Sequence, residues 1–278
     1  MTELILPCPA KLNLFLHILG QNAEGYHLLQ TVFQLLDSGD TLTISHNDSG
    51  KIQISPNIPG LAAKDNLIYK AAQLLQQHTG CTQGATMQLS KILPMGGGIG
   101  GGSSNAASAL LGLNKLWRCE LSIDELAMLG RSLGADVPVF VRGQTAWAEG
   151  IGEKLQPLNM ETRWFVVLAP NCHVSTKAIF SHKDLTRDTT AITVAAFLEK
   201  GGKNDCQPLV ERLFPQVRDA VDWLNQYGSA QLTGTGACVF ASFKSEDSAW
   251  NVFANRPKHI NGFVAKGIND SPLHQCLT

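Results

Sequence analysis

Residues 93–117 read LPMGGGIGGGSSNAASALLGLNKLW, and this stretch decides the fold. Between Gly96 and Gly102 only Ile99 carries a side chain. Such a run costs folding entropy, and the physical reason for keeping it is that bare backbone lets several N–H groups converge on phosphate oxygens. Ala107, Leu110, Leu111, Leu113 and Trp117 then recur at helical spacing. A helix therefore opens directly behind the glycines and aims its positive end at the same spot. Ser103 and Ser104 add hydroxyls able to cap that helix or to reach a phosphate or its metal. A plain surface loop is the alternative, but this one is set hard between an alternating strand at 86–92 and a strong amphipathic helix.

The kind of phosphate loop follows by comparison. A P-loop needs Lys before Ser or Thr, and none stands here. Gly96, Gly98 and Gly101 satisfy G-x-G-x-x-G only because a polyglycine run satisfies it trivially. A dinucleotide fold would want a second strand with an acidic residue about twenty positions on, whereas Asp124 and Glu125 fall inside a second helix at 124–133 that stops at Gly134. Ala135-Asp136-Val137-Pro138 then reads as an extended turn, because the residue before proline avoids the helical region.

Outward from this centre, residues 9–19 alternate. Leu12, Leu14, Leu16 and Ile18 fall on one face and Lys11, Asn13, Phe15 and His17 on the other. Short strands are expected at 42–45 and 51–55, and a helix capped by Asp65 at 65–77. After a turn at Gly150–Gly152 come a strand at 164–169 and helices near 191–199, 208–214 and 216–227. Two β-rich runs, 230–233 and 238–243, flank Gly234-Thr235-Gly236-Ala237, and a helix and a strand at 262–267 follow. Strands and helices do not strictly alternate, which argues α+β rather than a doubly wound parallel sheet. Two lobes are expected, 1–155 with the glycine-rich loop and 156–278.

The 278 residues carry a net charge of −1, with 44% hydrophobic and 16% charged residues. A soluble enzyme fits this composition. No basic field points to nucleic acid or anionic lipid, so an anionic ligand must be held by local devices. Neither a signal peptide nor a membrane-spanning run is evident. The seven cysteines are scattered and lack any CxxC pair, which suits reduced thiols. The expected compartment is cytoplasmic; the oligomeric state is not legible.

PMGGGIGGGSSN resembles the ATP loop of the GHMP kinases, and LTGTGACVF at 232–240 resembles that family's second glycine signature. PAKLNLFLHI at 9–18, EGYHLLQTVF at 24–33, GADVPVF at 134–140 and KNDCQP at 203–208 are similar to one branch of the family. The resemblance spans residues 7–267, and Ile99, Thr233 and Thr235 stand where Leu and Ser are more common.

The resemblance implies a two-lobe α+β kinase with its site in the inter-lobe cleft, ATP as phosphoryl donor with Mg²⁺, and a small alcohol carrying a cytidine diphosphate as acceptor. ATP would be held by Pro94, Met95, Gly96, Gly97, Gly98, Ile99, Gly100, Gly101, Gly102, Ser103, Ser104 and Asn105. Thr233, Gly234, Thr235, Gly236 and Ala237 form the second glycine turn. Asp136 is the expected base and Lys11 the expected cation, since a buried Lys needs an anionic partner. A turn or cap aspartate and a solvated edge lysine are the alternatives. Asn13, Tyr26, His27, Phe33, Thr176 and Phe180 are implied to line the acceptor pocket, with core packing the alternative for the three aromatics. Mg²⁺ ligands are not named by the sequence; Ser103, Ser104 and Asp136 are the places to look. Another GHMP small-alcohol kinase, or a silent nucleotide-binding protein on the same fold, remains open.

Overall fold

The computed structural model describes residues 3–56 and 62–277. β1 (Glu3–Gln21) and β2 (His27–Asn47) form a long antiparallel pair that organises the rest. β1 occupies one edge of β2 along its length. On the other edge, β2 meets three strands in succession. Residues Leu29–Phe33 pair with β5 (Ala146–Gly150), Leu35 and Leu36 with β10 (Asn261–Ile268), and Thr41–Asn47 with β4 (Gly84–Ser90). One strand thereby joins the two halves of the chain.

The sheet continues through β10 to β7 (Trp164–Ala169), β9 (Val239–Phe243) and β8 (Gln231–Leu232), all antiparallel. β6 (Lys154–Pro157) completes a hairpin with β5, and β3 (Ile52–Ser55) pairs parallel with β4. The helices are α1 (Leu67–Thr79), α2 (Gly101–Leu116), α3 (Ile123–Leu133), α4 (Val137–Arg142), α5 (Thr176–Ser181), α6 (Val194–Lys200), α7 (Gln207–Leu213), α8 (Pro215–Leu224) and α9 (Glu246–Ala254). This mixture is the α+β architecture expected from the sequence. No helix among the described residues is long and apolar enough to cross a membrane.

Two large apolar cores form. One gathers Leu35, Leu42 and Met87 from the sheet under α1, α2 and α3; the other gathers Val166, Leu168 and Val239 under α7, α8 and α9. The chain crosses between them at both ends, since Leu16 and Ile18 join the second and Leu273 the first. A third cluster holds Ala10, Leu12, Leu93, Ile99, Cys238 and Phe240. Ile99, the single side chain of the glycine run, is 1% exposed and plugs this cluster. That anchor stops the loop from being a loose one.

Several local readings need correction. Asp65 does not cap α1; Asn66 does, its side chain accepting from the Ile68 N–H. Residues 135–138 are not an extended turn. α4 begins at Val137 with Pro138 in its first turn, where a missing N–H costs nothing because that group has no intrahelical partner anyway. The strand at 42–45 is the end of the much longer β2, and α5 was not anticipated. β1 does not keep two clean faces, because register shifts at Pro9/Lys11 and Asn13/Leu16 move Phe15 to full burial and leave Leu14 half-buried.

Candidate active site

A cleft of about 1310 Å³ opens along β1, the first glycine loop, α3, the β5–β6 turn, α5 and the second glycine turn. That exceeds the ~300–1,000 Å³ of a typical single-ligand pocket, so two substrates fit side by side.

At its floor lies Lys11, 2% exposed. Its Nζ donates to Asn13 Oδ1 at 2.6 Å and to Gly98 O at 2.9 Å, and stands 3.2 Å from Asp136 Oδ2. Three N–H donors thus face three acceptors, one of them charged, which is what makes a buried ammonium tolerable. The Phe33 ring adds a cation–π contact at 5.2 Å. Asn13 is held from behind by donating to Thr31 Oγ1, so its oxygen is aimed at Lys11.

Asp136 occupies the N-cap position of α4 yet makes no side-chain cap hydrogen bond. Its carboxylate is turned to Lys11 instead, which answers the cap alternative. The solvated-lysine alternative fails on burial.

Along the first glycine loop φ is +68° at Gly96, +76° at Gly98 and +74° at Gly100, with no positive value at the residues between. Alternating signs turn successive N–H groups toward one side, a nest for anionic oxygens. The carbonyls face inward: Gly97 O accepts from the Cys238 N–H and Ile99 O from the Lys11 N–H. Gly100 caps α2 in the left-handed region with no side-chain cap hydrogen bond, which leaves the helix's first N–H groups for an anion.

The second glycine turn lies against the first. A Cβ on Gly98 would come within 2.3 Å of Thr233 O, so the two backbones touch only because that side chain is missing. Thr233, fully buried, accepts from the Asn13 N–H at 3.0 Å and donates to Gly98 O at 3.2 Å. One hydroxyl therefore ties the lysine strand to both loops. Asn204 supports the turn, donating to Leu232 O and Gly234 O, while Asp205 accepts from the Ile18 N–H at 2.8 Å.

Of the ATP-loop residues, Gly98 and Ser103 line the cleft. Met95, Gly96 and Gly102 are exposed, Pro94 and Gly100 are half-buried, and Gly97, Ile99, Gly101, Ser104 and Asn105 are buried. Ser104 Oγ and Asn105 Oδ1 are buried without a hydrogen-bond partner. Gly234 and Thr235 line the cleft, whereas Thr233, Gly236 and Ala237 lie beneath it. Burial pushes the Cys238 thiol under the loop up to about 12, so it stays protonated and inert.

At the far end the cleft is lined by Tyr26, His27, Thr176 and Phe180. Tyr26 is 57% exposed and so is not core; Phe33 is both core and cleft wall. Thr176 Oγ1 lies 2.9 Å from Thr235 Oγ1. The His27 and Phe180 rings stack at 4.9 Å with a 30° tilt. Burial, then the Arg187 charge, holds His27 below its ordinary pKa, so it is neutral at pH 7. Sequence reading missed Arg187, whose Nε lies 3.1 Å from His27 Nε2, because the pair is separated by 160 positions. Cationic Arg131, Lys154 and Lys177 on the cleft wall were also missed. Among the described residues no group of three His, Cys, Asp or Glu side chains is placed to hold a metal.

The family model described as GHMP kinases N terminal domain matches residues 66–144, and the one described as GHMP kinases C terminal matches residues 185–261. A protein of Mannheimia succiniciproducens named 4-diphosphocytidyl-2-C-methyl-D-erythritol kinase is 54% identical over 271 residues, covering 98% of this chain and 90% of that one. One of Aliivibrio fischeri with the same name is 53% identical, covering 98% and 94%. A crystal structure of 4-(cytidine 5'-diphospho)-2C-methyl-D-erythritol kinase superposes with a TM-score of 0.83 at 30% identity, over 96% of this chain and 100% of that one. A homoserine kinase from Cytophaga hutchinsonii has a TM-score of 0.68 at 16% identity, over 98% and 96%, which speaks for the fold alone.

Proposed function

The chain belongs to the GHMP kinases, and from that premise we propose that it transfers the γ-phosphate of ATP to the 2-hydroxyl of 4-diphosphocytidyl-2-C-methyl-D-erythritol, a step of non-mevalonate isoprenoid precursor synthesis. The observation that carries this reading is the Lys11–Asp136 pair, set at the floor of a two-substrate cleft beside the glycine nest. Residues 1–155 bring the lysine strand and the ATP loop; residues 156–278 close the cleft with α5 and the second turn.

The nest and the start of α2 hold the ATP phosphates. Asp136 accepts the proton of the acceptor hydroxyl, whose oxygen attacks the γ-phosphorus as the bond to ADP breaks. Lys11 keeps Asp136 ionised and offsets charge on the transferring group. Mg²⁺ is expected with ATP and would offset the negative charge of its phosphates. Asp136 and Ser103 offer oxygen donors facing the cleft, which suits such a metal.

ADP release coupled to a reporter tests the whole reading. Turnover on the cytidylated alcohol should far exceed that on mevalonate or homoserine; equal rates favour a general small-alcohol kinase, and none at all favours a silent nucleotide binder.

Gly100→Val should raise the dissociation constant for ATP at least tenfold in calorimetry. Its Cβ would meet the Phe140 ring at 2.7 Å and Lys11 Cγ at 3.1 Å at φ +74°, costing ~1–2 kcal/mol for the left-handed conformation and ~1–3 kcal/mol for overpacking. Gly101→Val should do less, for Gly101 is not at positive φ and its Cβ would come closest to the flexible end of Lys91 at 3.3 Å, with Leu93 at ordinary contact distance, 3.6 Å. Unchanged ATP affinity in Gly100→Val would move the phosphates elsewhere.

The cytidine end makes a further demand. Cytosine pairs an amine donor with a ring-nitrogen acceptor, and uracil reverses both. A uridine analogue should therefore lose about 10- to 1000-fold in kcat/KM, from one or two mismatches. Tyr26→Ala or Phe180→Ala should raise KM for the cytidylated acceptor and leave that for ATP unchanged. An equally good uridine substrate would remove the cytosine pocket from the reading.

A further inference from the structure

His27 enters the cleft with one ring nitrogen already engaged. Two groups face its Nε2: Arg187 Nε at 3.1 Å and the Gln21 side-chain amide at 3.2 Å. They are not equivalent. An amide can turn its oxygen toward an N–H, so Gln21 accommodates either tautomer. A guanidinium has no acceptor and never deprotonates. Facing Arg187, Nε2 must present its lone pair, and the single proton of the neutral ring is confined to Nδ1.

Arg187 is itself held in place. Three of its remaining N–H groups donate to Phe180 O at 2.8 Å, His182 O at 2.8 Å and Leu185 O at 3.1 Å. The same side chain therefore fixes the end of α5, which carries the Phe180 ring stacked on His27. One residue sets both the chemistry of the histidine edge and the seat of its aromatic neighbour.

We infer that Arg187 is a positioning residue for base selection: it locks His27 as the Nδ1–H tautomer, so that the ring offers a donor to the cytosine ring nitrogen and repels the N–H that uracil carries there. This rests on the reading of the acceptor as a cytidylated alcohol. Arg187 touches neither the base nor the reacting atoms. Its whole effect passes through His27 and Phe180.

The test has two arms. ¹⁵N NMR of histidine-labelled wild-type protein reads the His27 tautomer without substrate or variant. The expected result is a proton on Nδ1 at pH 7; a proton on Nε2 overturns the inference. In the second arm, Arg187→Met should cut the cytidine-over-uridine ratio of kcat/KM by about tenfold, the scale of one lost polar mismatch, with KM for ATP unchanged. A merely structural role would weaken both acceptors equally and preserve the ratio, and that result also overturns the inference. Arg187→Gln substitutes where Arg187→Met does not fold. Unlike a cation, the glutamine amide can turn its oxygen toward an Nε2–H, so the lock is lost and the ratio should shift in the same direction. Should the wild type not discriminate between the two bases at all, the cytosine reading fails, and the NMR arm still decides whether Arg187 holds the tautomer.

Discussion

Asp136→Asn should lower kcat by about 10²–10⁴, the range for a positioned general base, while KM for ATP stays close to wild type. Asparagine keeps the size and the N-cap position but cannot take a proton. Asp136 makes no cap hydrogen bond to α4 and its side chain is one-third exposed, so the helix does not depend on the charge. The substitution leaves Asn13 Oδ1 and Gly98 O still in place. The asparagine amide oxygen can still accept from Lys11, but the buried ammonium loses its counter-charge, so stability should also fall, by ~1–3 kcal/mol. Thermal unfolding measures that loss, and single-turnover kinetics on the folded variant separates it from the chemical step. A variant with near-wild-type kcat removes Asp136 from the mechanism.

Lys11→Met should lower kcat by about 10²–10³, the usual loss for one preorganised charge-stabilising donor, and should also disturb the fold around it. The two substitutions differ because Lys11 is almost wholly buried whereas Asp136 is not. Methionine fills the space of the stem but donates nothing. Asn13 Oδ1 then loses its donor, Gly98 O keeps only Thr233, and Asp136 loses its counter-charge. An unpaired buried acceptor costs ~1–3 kcal/mol, partly offset because a buried ammonium is no longer desolvated. A fall in melting temperature with an equal fall in kcat and kcat/KM is the expected pattern. Unchanged kcat would make Lys11 a structural cation only.

The chain's own residues settled a good deal. A seven-residue run with one side chain, set before a long apolar helix, has few physical uses, and its place between strand and α2 followed from period alone. Lys11 and Asn13 fall two apart on a strand, so they share a face whatever the strand packs against, and the structure brings them to 2.6 Å. The stop at Gly134 is where α3 ends, although at φ 172° its backbone is one that any residue adopts. α1 runs past 77 to Thr79 and ends at Gly80, whose φ of +70° favours glycine.

Other features were decided only by tertiary contacts. β2 runs across 21 residues because β5, β10 and β4 pair with it in turn, and no local period encodes three partners. Pro138 reads as a helix breaker until its neighbours place it in a first turn, where nothing is lost. Arg187 carries no local signal, since a guanidinium in a loop becomes significant only when folding sets it against a ring 160 positions away. Thr233 is similar: next to Gly234 it reads as turn filler, and only the contact of two loops 135 positions apart makes its hydroxyl the tie between them. Short-range sterics and hydrophobic period act through neighbouring residues and are written in the sequence. The juxtaposition of Lys11, Asp136, both glycine turns and the His27 edge depends on distant backbones meeting, and that geometry belongs to the folded chain alone.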